Sequence, residues 1–509
     1  MTIDKTKIIS AFYGGISRDD KSQTAGAVSN IEEVDIFSNA DFVQAEQIMS
    51  TDTFPSASNV YAYSVGDDDI MYAYGKETAA NKVRLFSVAD GGSDNPGSWA
   101  TLFTSSDATS VATTVSPVEF FKTTESPATY LYYIAGTGSA WLLKRYSITG
   151  TTEATVGTLS GLTGSFDRPT MKKFFGSLYI CHGQFIASID SDGTFTEKAF
   201  TLPNSQIAVD IIPVSDVAIV LARNANRFIN ETTGYWWDLE AATQFDDQFK
   251  IPFGGPQFIS NWKENIIIFC AIAGIGKFYK LSGAFPGAQP LEISDKIVLN
   301  CGVETSTQPI SSPKMVSQRN GQLYFGLFKT DKTGIYSIGQ LDSQKPLAFI
   351  LSKRFHTTDY SLHSPTALLV HGPNFYGAFI DNGTASTVRC ESNNSPTRSS
   401  TALIESIWYD DGRPAQTKQL ARAYINSYPL SASTALTLHV GKDFTATYTQ
   451  VNRPDNSIFN TLNGLLGFFK PAAFSNNYAY RFKVVFTSNG VNSPKLQSVG
   501  LRYFVKELL

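Results

Sequence analysis

Leu85-Phe86-Ser87-Val88, Arg145-Tyr146-Ser147-Ile148, Ile186-Ala187-Ser188-Ile189, Phe278-Tyr279-Lys280-Leu281 and Ile335-Tyr336-Ser337-Ile338 repeat one short pattern down the chain. Each reads as a strand that ends in a small or polar residue and then an aliphatic one. Arg227-Phe228-Ile229-Asn230 is a weaker copy at the place where one is missing. The second positions fall at 86, 146, 187, 228, 279 and 336, a mean spacing of 50 residues. A repeat at that period decides the fold before any single motif does.

Each copy follows a strand rich in aromatic and β-branched residues: 70–74, 130–134, 178–181, 217–221, 266–271 and 322–328. Those in turn follow a shorter one, at 60–65, 118–122, 171–174, 209–214, 258–262 and 314–317. A fourth strand is readable at 99–103, 195–200, 236–239 and 347–351. Four short strands per repeat, closed by Gly, Asn, Asp and Pro turns, predict the blades of a β-propeller. A seventh unit reads at 365–370, 375–380 and 387–391, without its outer strand. A propeller with an incomplete last blade is often closed by a strand from the far terminus, because closure removes an exposed sheet edge. Glu33–Phe37 is the candidate for that strand. A stack of β-sandwiches would also give short strands at regular spacing and is the competing architecture.

Beyond Ser399 the pattern changes. Leu436, Leu438 and Val440 alternate with Thr437 and His439, and Tyr480, Phe482, Val484 and Phe486 alternate with Arg481, Lys483 and Val485. Period-two alternation over this length predicts half-buried antiparallel strands. With 404–409, 420–426, 445–451 and 501–505 they make a C-terminal β-sandwich. The fold class is therefore all-β: an N-terminal arm over 1–50 that completes the propeller, a seven-bladed propeller over 51–398, and a sandwich over 399–509. Ser392–Ser400 is the expected linker, and 457–469 the best candidate for a short helix.

The 509 residues carry a net charge of −4, which argues against a general nucleic-acid binder. Charged residues make up 17%, hydrophobic residues 42% and aromatics 13%, enough for a packed core and too apolar for wholesale disorder. The longest apolar run, Ile266–Ala273, has eight residues, far short of the roughly 20 a membrane helix needs. The first residues show no signal-peptide core, so export by an N-terminal signal is not expected. Cys181, Cys270, Cys301 and Cys390 show no CxxC spacing and are expected as reduced, packed thiols.

Candidates for chemistry are few. His356, His363 and His371 lie at spacings that match no common zinc pattern. Asp67-Asp68-Asp69 lacks the spaced donors of a calcium loop and reads as a turn. Asp246-Asp247 and Asp410-Asp411 are adjacent carboxylates, which on a strand point to opposite faces and so make no glycosidase pair by themselves. Tyr235-Trp236-Trp237 could stack on a sugar but fits inter-blade packing better. Ser188 to Phe195 looks like the Asp-box turn of sialidases with its glycine one place late; Asp192-Gly193 reads as a plain hairpin turn. No catalytic, cofactor-binding or metal-binding residue is nominated.

Phe12-Tyr13-Gly14-Gly15-Ile16-Ser17-Arg18-Asp19-Asp20, followed by Val34-Asp35-Ile36, resembles the start of structural tail proteins of tailed bacteriophages. Lys418-Gln419-Leu420 and Ser493-Pro494-Lys495-Leu496-Gln497-Ser498-Val499-Gly500-Leu501-Arg502-Tyr503 are similar to the end of a β-sandwich in such proteins. With a propeller between them, the chain resembles the nozzle or hub proteins of short-tailed phages. That resemblance implies a virion tail component, made in the host cytoplasm, that forms a hexameric ring around the DNA exit channel. It also implies contacts with adjacent tail or portal-adaptor proteins and DNA passing without specific binding; from the residues themselves, no cofactor and no membrane insertion are expected. The alternative is a glycan-binding or glycan-cleaving, sialidase- or depolymerase-like propeller acting at the host surface.

Overall fold

The computed structural model describes residues 2–506, leaving out 11, 13–14, 17–26, 48, 52–53, 56–57, 68, 78–81, 90–92, 94–96, 106–114, 125–128, 137–139, 164–166, 284–286, 294–300, 305–308, 330–332, 342–346, 355–362, 382–385, 392–396, 412, 452–466, 470–473 and 475.

Seven antiparallel blades follow one another. Blade one is Ser58–Val65, Met71–Glu77, Val83–Val88 and Ala100–Thr104; blade two is Val118–Lys122, Thr129–Gly136, Trp141–Ser147 and Thr152–Thr158. Blade three is Thr170–Phe174, Ser177–His182, Phe185–Ile189 and Phe195–Thr201; blade four is Gln206–Val214, Val217–Asn224, Thr232–Trp237 and Asp247–Ile251. Blade five is Pro256–Trp262, Asn265–Ile272, Ile275–Ser282 and Gln289–Glu292; blade six is Val316–Arg319, Gln322–Leu327, Gly334–Gly339 and Ala348–Arg354. Blade seven has three strands of its own, His363–His371, Asn374–Asp381 and Ser386–Glu391. The first strand of each blade touches the first strand of the next, and that of blade seven touches that of blade one, so the ring is closed around an axis.

Each junction between blades holds its own apolar cluster. Between blades five and six these are Phe258, Phe269, Phe278, Phe325, Tyr336 and Phe349. Between blades three and four Trp237 lies against Phe200, ring centroids 4.8 Å apart, and Tyr179. Flat rings fill the wedge between twisted sheets with little loss of side-chain freedom, which is where the high aromatic content goes. Tyr235-Trp236-Trp237 is packing, as expected: all three are buried.

The strand that closes the ring is not Glu33–Phe37. Ser50–Thr51 pairs with Cys390 and Arg389 and supplies the fourth strand of blade seven. Glu33 takes a left-handed φ of 54°, which turns the chain, and Val34–Asp35 forms a small hairpin with Gln44–Ala45 instead. Arg227–Asn230 is likewise not a strand. The Asn224 and Asn226 side chains accept the amides of Asn226 and Phe228 and bend this stretch into a turn. The third strand of blade four is Thr232–Trp237, so the strand read at 236–239 only overlaps its end at Trp236 and Trp237, and the fourth is Asp247–Ile251.

The C-terminal sandwich is not built from residues 399–509 alone. One sheet orders Thr2–Ile9, Leu496–Lys506, Lys418–Ser427 and Gly467–Phe469. The other holds Asn30–Glu32, Leu403–Glu405, Tyr480–Thr487, Ala435–Lys442 and Tyr448–Val451. Asn30–Glu32 also pairs in parallel with Leu351 in the outer strand of blade six, so one nine-stranded sheet runs from propeller to sandwich. The shared core joins Phe12, Val28, Ile31 and Val34 to Ala348 and Ile350 of blade six and to the sandwich. The expected linker is zipped down where it is described: Arg398 bridges Gln47, and Ser399 donates its amide to Glu46. The expected helix at 457–469 falls mostly outside the described residues; its end, Gly467–Phe469, is a strand on Ala423–Ile425. Thr437, His439, Arg481 and Lys483 are half-buried. Arg481 lies between the rings of Trp408 and Tyr448, 4.4 and 4.5 Å away, and Lys483 is 3.6 Å from Glu405.

Candidate functional site

The first strands of the blades put a set of charged side chains on the axis. Lys172 of blade three reaches Asp210 of blade four at 2.8 Å. The Asp210 carboxylate also accepts the amides of Ile211 and of Ile259 in blade five, so one buried acid ties three blades. Burial pushes its pKa up while Lys172 pulls it down; the net direction is upward. Ser64 of blade one accepts the amide of Phe120 and donates to Glu119, both in blade two. Lys173 lies 3.9 Å from Glu119 and over the Phe120 ring. Burial drives Glu119 up to about 7 against the pull of Lys173. Lys314, ahead of blade six, is pushed down to about 7 by burial and by Arg168. Glu119, Arg168, Lys172 and Lys314 share an axial cavity of about 190 Å³.

A second cavity, of about 240 Å³, opens at the end of the ring where the inner strands of blades four to six begin. Its walls carry Arg168, Arg223, Arg227 and Glu304, with Phe228, Ile229 and Val303 beside them. The chain leaving Val217–Asn224 turns here, so Arg227 and Phe228 project into solvent, and Phe228 is 80% exposed. Arg168 pairs with Glu304, while Arg223 lies 3.7 Å from Asp167. Asp167 is held by the amide of Thr163. Arg223 and Arg227 also face a shallower depression of about 530 Å³ between blades three and four.

Most of the sequence candidates lie away from both cavities. Asp67 and Asp69 sit in the turn between the first two strands of blade one, and His371 is 3.2 Å from the Asp69 carbonyl. His363 begins the first strand of blade seven, and His356 lies outside the described residues. Asp247 accepts the amides of Gln248 and Gly287, which ties the outer strand of blade four to blade five. Asp411 lies 3.2 Å from Lys7 in the sandwich. Asp192-Gly193 is a hairpin turn: Gly193 has φ 86° and Asp192 accepts the Thr194 amide. Cys181, Cys270 and Cys301 are buried thiols outside any disulfide. Burial pushes Cys270 and Cys301 up to about 12 and Cys181 well above the ordinary value, so they stay protonated. Among the described residues no group of His, Cys, Asp and Glu is placed to hold a metal ion. The arginine cluster had no sequence signal beyond Arg223 and Arg227 sharing one turn; Arg168 and Glu304 come from distant loops.

No protein-family model and no curated protein matches the chain. Among solved structures it is similar to the β-propeller domain of the Trilobed protease from Pyrococcus furiosus, with 9% identity over 65% of this chain and 95% of that one and a TM-score of 0.38. It is also similar to the N-terminal domain of Nup159, with 11% identity over 72% and 99% and a TM-score of 0.38. A third is an exo-beta-1,3-galactanase from Phanerochaete chrysosporium, with 10% identity over 90% and 100% and a TM-score of 0.32. The propeller itself rests on the strand order and the closed ring of inner strands.

Proposed function

We propose that the protein is a structural component of a tailed-bacteriophage tail, a nozzle- or hub-type subunit that assembles with copies of itself into a ring around the DNA exit channel. The reading starts from the resemblance of its two ends and its layout. The observation that supports it is the nine-stranded sheet that carries blade six into the sandwich. The Glu32–Leu351 pairing and the apolar core shared across it join the two modules, which suits a subunit that must transmit load. The slight net negative charge suits a conduit, since a basic wall would hold the passing DNA. In a ring the contacts are head to tail, so each subunit presents two different surfaces. The test is negative-stain microscopy of the purified chain, alone and with adjacent tail or portal-adaptor proteins. Closed rings with a central channel are expected; a monomer that stays outside purified particles refutes the reading.

The second reading, a glycan-binding or glycan-cleaving propeller at the host surface, is favoured by one feature, the arginine-lined cavity with the exposed Phe228 ring at its rim. Release of oligosaccharides from host surface glycans, abolished by changing one carboxylate, would establish it over the first.

A further inference from the structure

Four Asn-Gly pairs occur in the chain, and two of them, Asn320-Gly321 and Asn489-Gly490, lie among the described residues. The fold holds these two in opposite ways. Asn320-Gly321 is the two-residue turn between Val316–Arg319 and Gln322–Leu327 of blade six, with Arg319 opposite Gln322. Both turn residues have positive φ, 50° and 73°, as a type I′ hairpin turn requires, and both are exposed. Among the described residues neither the Asn320 side chain nor the peptide group that joins it to Gly321 makes a hydrogen bond. Asn489 is tied at both ends of its amide. Its Oδ1 accepts the amides of Val491 at 3.2 Å and Asn492 at 2.8 Å, and its Nδ2 donates to the Ala432 carbonyl at 2.8 Å.

The amide carbon of an asparagine side chain is an electrophile within reach of the nitrogen of the following residue. Attack closes a five-membered ring, and it needs a ψ that brings that nitrogen over the side chain. Turning over the central peptide of a type I′ turn gives a type II′ turn, which keeps φ of the first residue positive and sets its ψ to about −120°. At that ψ the Gly321 nitrogen faces Asn320 Cγ. No hydrogen bond of that peptide resists the flip among the described residues. Gly321 has no β-carbon and takes the negative φ of the new turn as readily as its present one.

We propose that Asn320-Gly321 is a site of spontaneous covalent modification that loosens the contact of blade six with blade five. The Gly321 nitrogen bonds to Asn320 Cγ, its proton leaves with the side-chain nitrogen as ammonia, and a succinimide remains. Water then opens the ring at one of its two C–N bonds, which yields aspartate or isoaspartate; nothing is oxidised or reduced. Isoaspartate carries the main chain through its Cβ and so inserts one more carbon into the turn. The Gly321 carbonyl accepts the indole N–H of Trp262 at 3.0 Å, and Trp262 is a buried member of the cluster between blades five and six. A lengthened turn withdraws that acceptor. The inference is independent of ring assembly, and the two are read by different measurements.

The test is incubation of the full chain at pH 8 for several weeks, followed by peptide mapping at mildly acidic pH, with isoaspartate told from aspartate by electron-transfer fragmentation. Asn320 is expected to convert to a mixture of the two. Asn489 should convert about tenfold or more slower, since its three side-chain hydrogen bonds must break first. In urea the two should convert at similar rates. Asn320→Gln, whose longer side chain closes a ring far less readily, should stay intact. Tryptophan emission of the wild type should move to longer wavelength as isoaspartate accumulates, with no such change in Asn320→Gln. The proposal is overturned if Asn320 stays intact in the folded chain while it converts in urea, or if Asn489 converts as fast as Asn320 in the folded chain. Aspartate formed without isoaspartate, or an emission unchanged once isoaspartate has formed, overturns it as well.

Discussion

The propeller is latched by a buried ion network, and removing its central cation tests how the ring is held shut. Lys353, at the end of blade six, lies 2.9 Å from Glu46 of the N-terminal segment and 2.6 Å from Glu391 of blade seven. Glu391 also meets Arg319 of blade six at 2.6 Å, and the Ser352 hydroxyl donates to Glu46 at 2.6 Å. The side chains of Lys353, Glu46 and Glu391 are each no more than 8% exposed. Burial alone would strip the Lys353 proton, but Glu391 and Glu46 outweigh it and hold the amine above its ordinary value. Burial would raise Glu391 as well; Lys353 and Arg319 overcome it and keep this acid ionised. Glu46 has less help, and its pKa stays above the usual carboxylate range. Lys353→Met keeps the apolar stem and deletes the charge. Glu391 retains Arg319, whereas Glu46 is left with one hydroxyl. Breaking a buried pair on one side costs about 3–5 kcal/mol, most of it the stranded charge. The sign with pH follows from Glu46. An acid with a raised folded pKa contributes stability that is complete below its unfolded pKa of about 4.5 and lost as pH rises through the folded value. In the variant that folded value moves further up, so the deficit is largest at pH 8 and shrinks towards pH 5. Urea titration followed by tryptophan fluorescence at both pH values measures it. Adding Glu46→Gln to Lys353→Met should return part of the loss, since the two sites are coupled. A deficit below about 1 kcal/mol at pH 8, or one equal at pH 5 and pH 8, refutes the latch.

Glu119→Gln should stabilise the protein at pH 8 and leave it unchanged near pH 4: the folded pKa of about 7 against 4.5 unfolded means wild type loses stability between those values, a gap worth on the order of 3 kcal/mol. Equal urea midpoints at pH 8 would contradict that. Trp237→Ala should cost about 3–5 kcal/mol, because a fully buried ring stacked on Phe200 is replaced by a void and the bond from its indole N–H to the Ala241 carbonyl is lost; thermal unfolding checks it. Ending the chain after Ser399 should not leave a well-packed propeller, since Ala348, Ile350 and Ile31 lose the core they share with Ile404, Leu438 and Val484. Loss of near-ultraviolet dichroism is expected, and a native spectrum would show that the ring closes without the sandwich.

The repeat was legible because a blade is made of local events. Strand alternation, an aliphatic after a small residue and an Asp192-Gly193 turn act within a few residues, so six of the seven blades can be read by eye from aromatic and β-branched runs. The misreadings have local causes too. Arg227–Asn230 carries a strand-like composition, but the Asn224 side chain takes the amide of Asn226 just ahead of it and the Asn226 side chain takes that of Phe228, which makes a turn. The closing strand, Ser50–Thr51, is two residues long and has no pattern to see; only the open edge of Ser386–Glu391 selects it. Composition and periodicity by themselves therefore determined an all-β chain of propeller units followed by alternating strands. Tertiary structure alone decided that Asn30–Glu32 welds the two modules, that Lys353 meets acids from two distant segments, and that Glu304 sits on Arg168. The reason is physical: a strand's period is set by its own backbone, whereas its edge partner and the pairing of buried charges depend on what the rest of the chain brings alongside, and that has no short-range code.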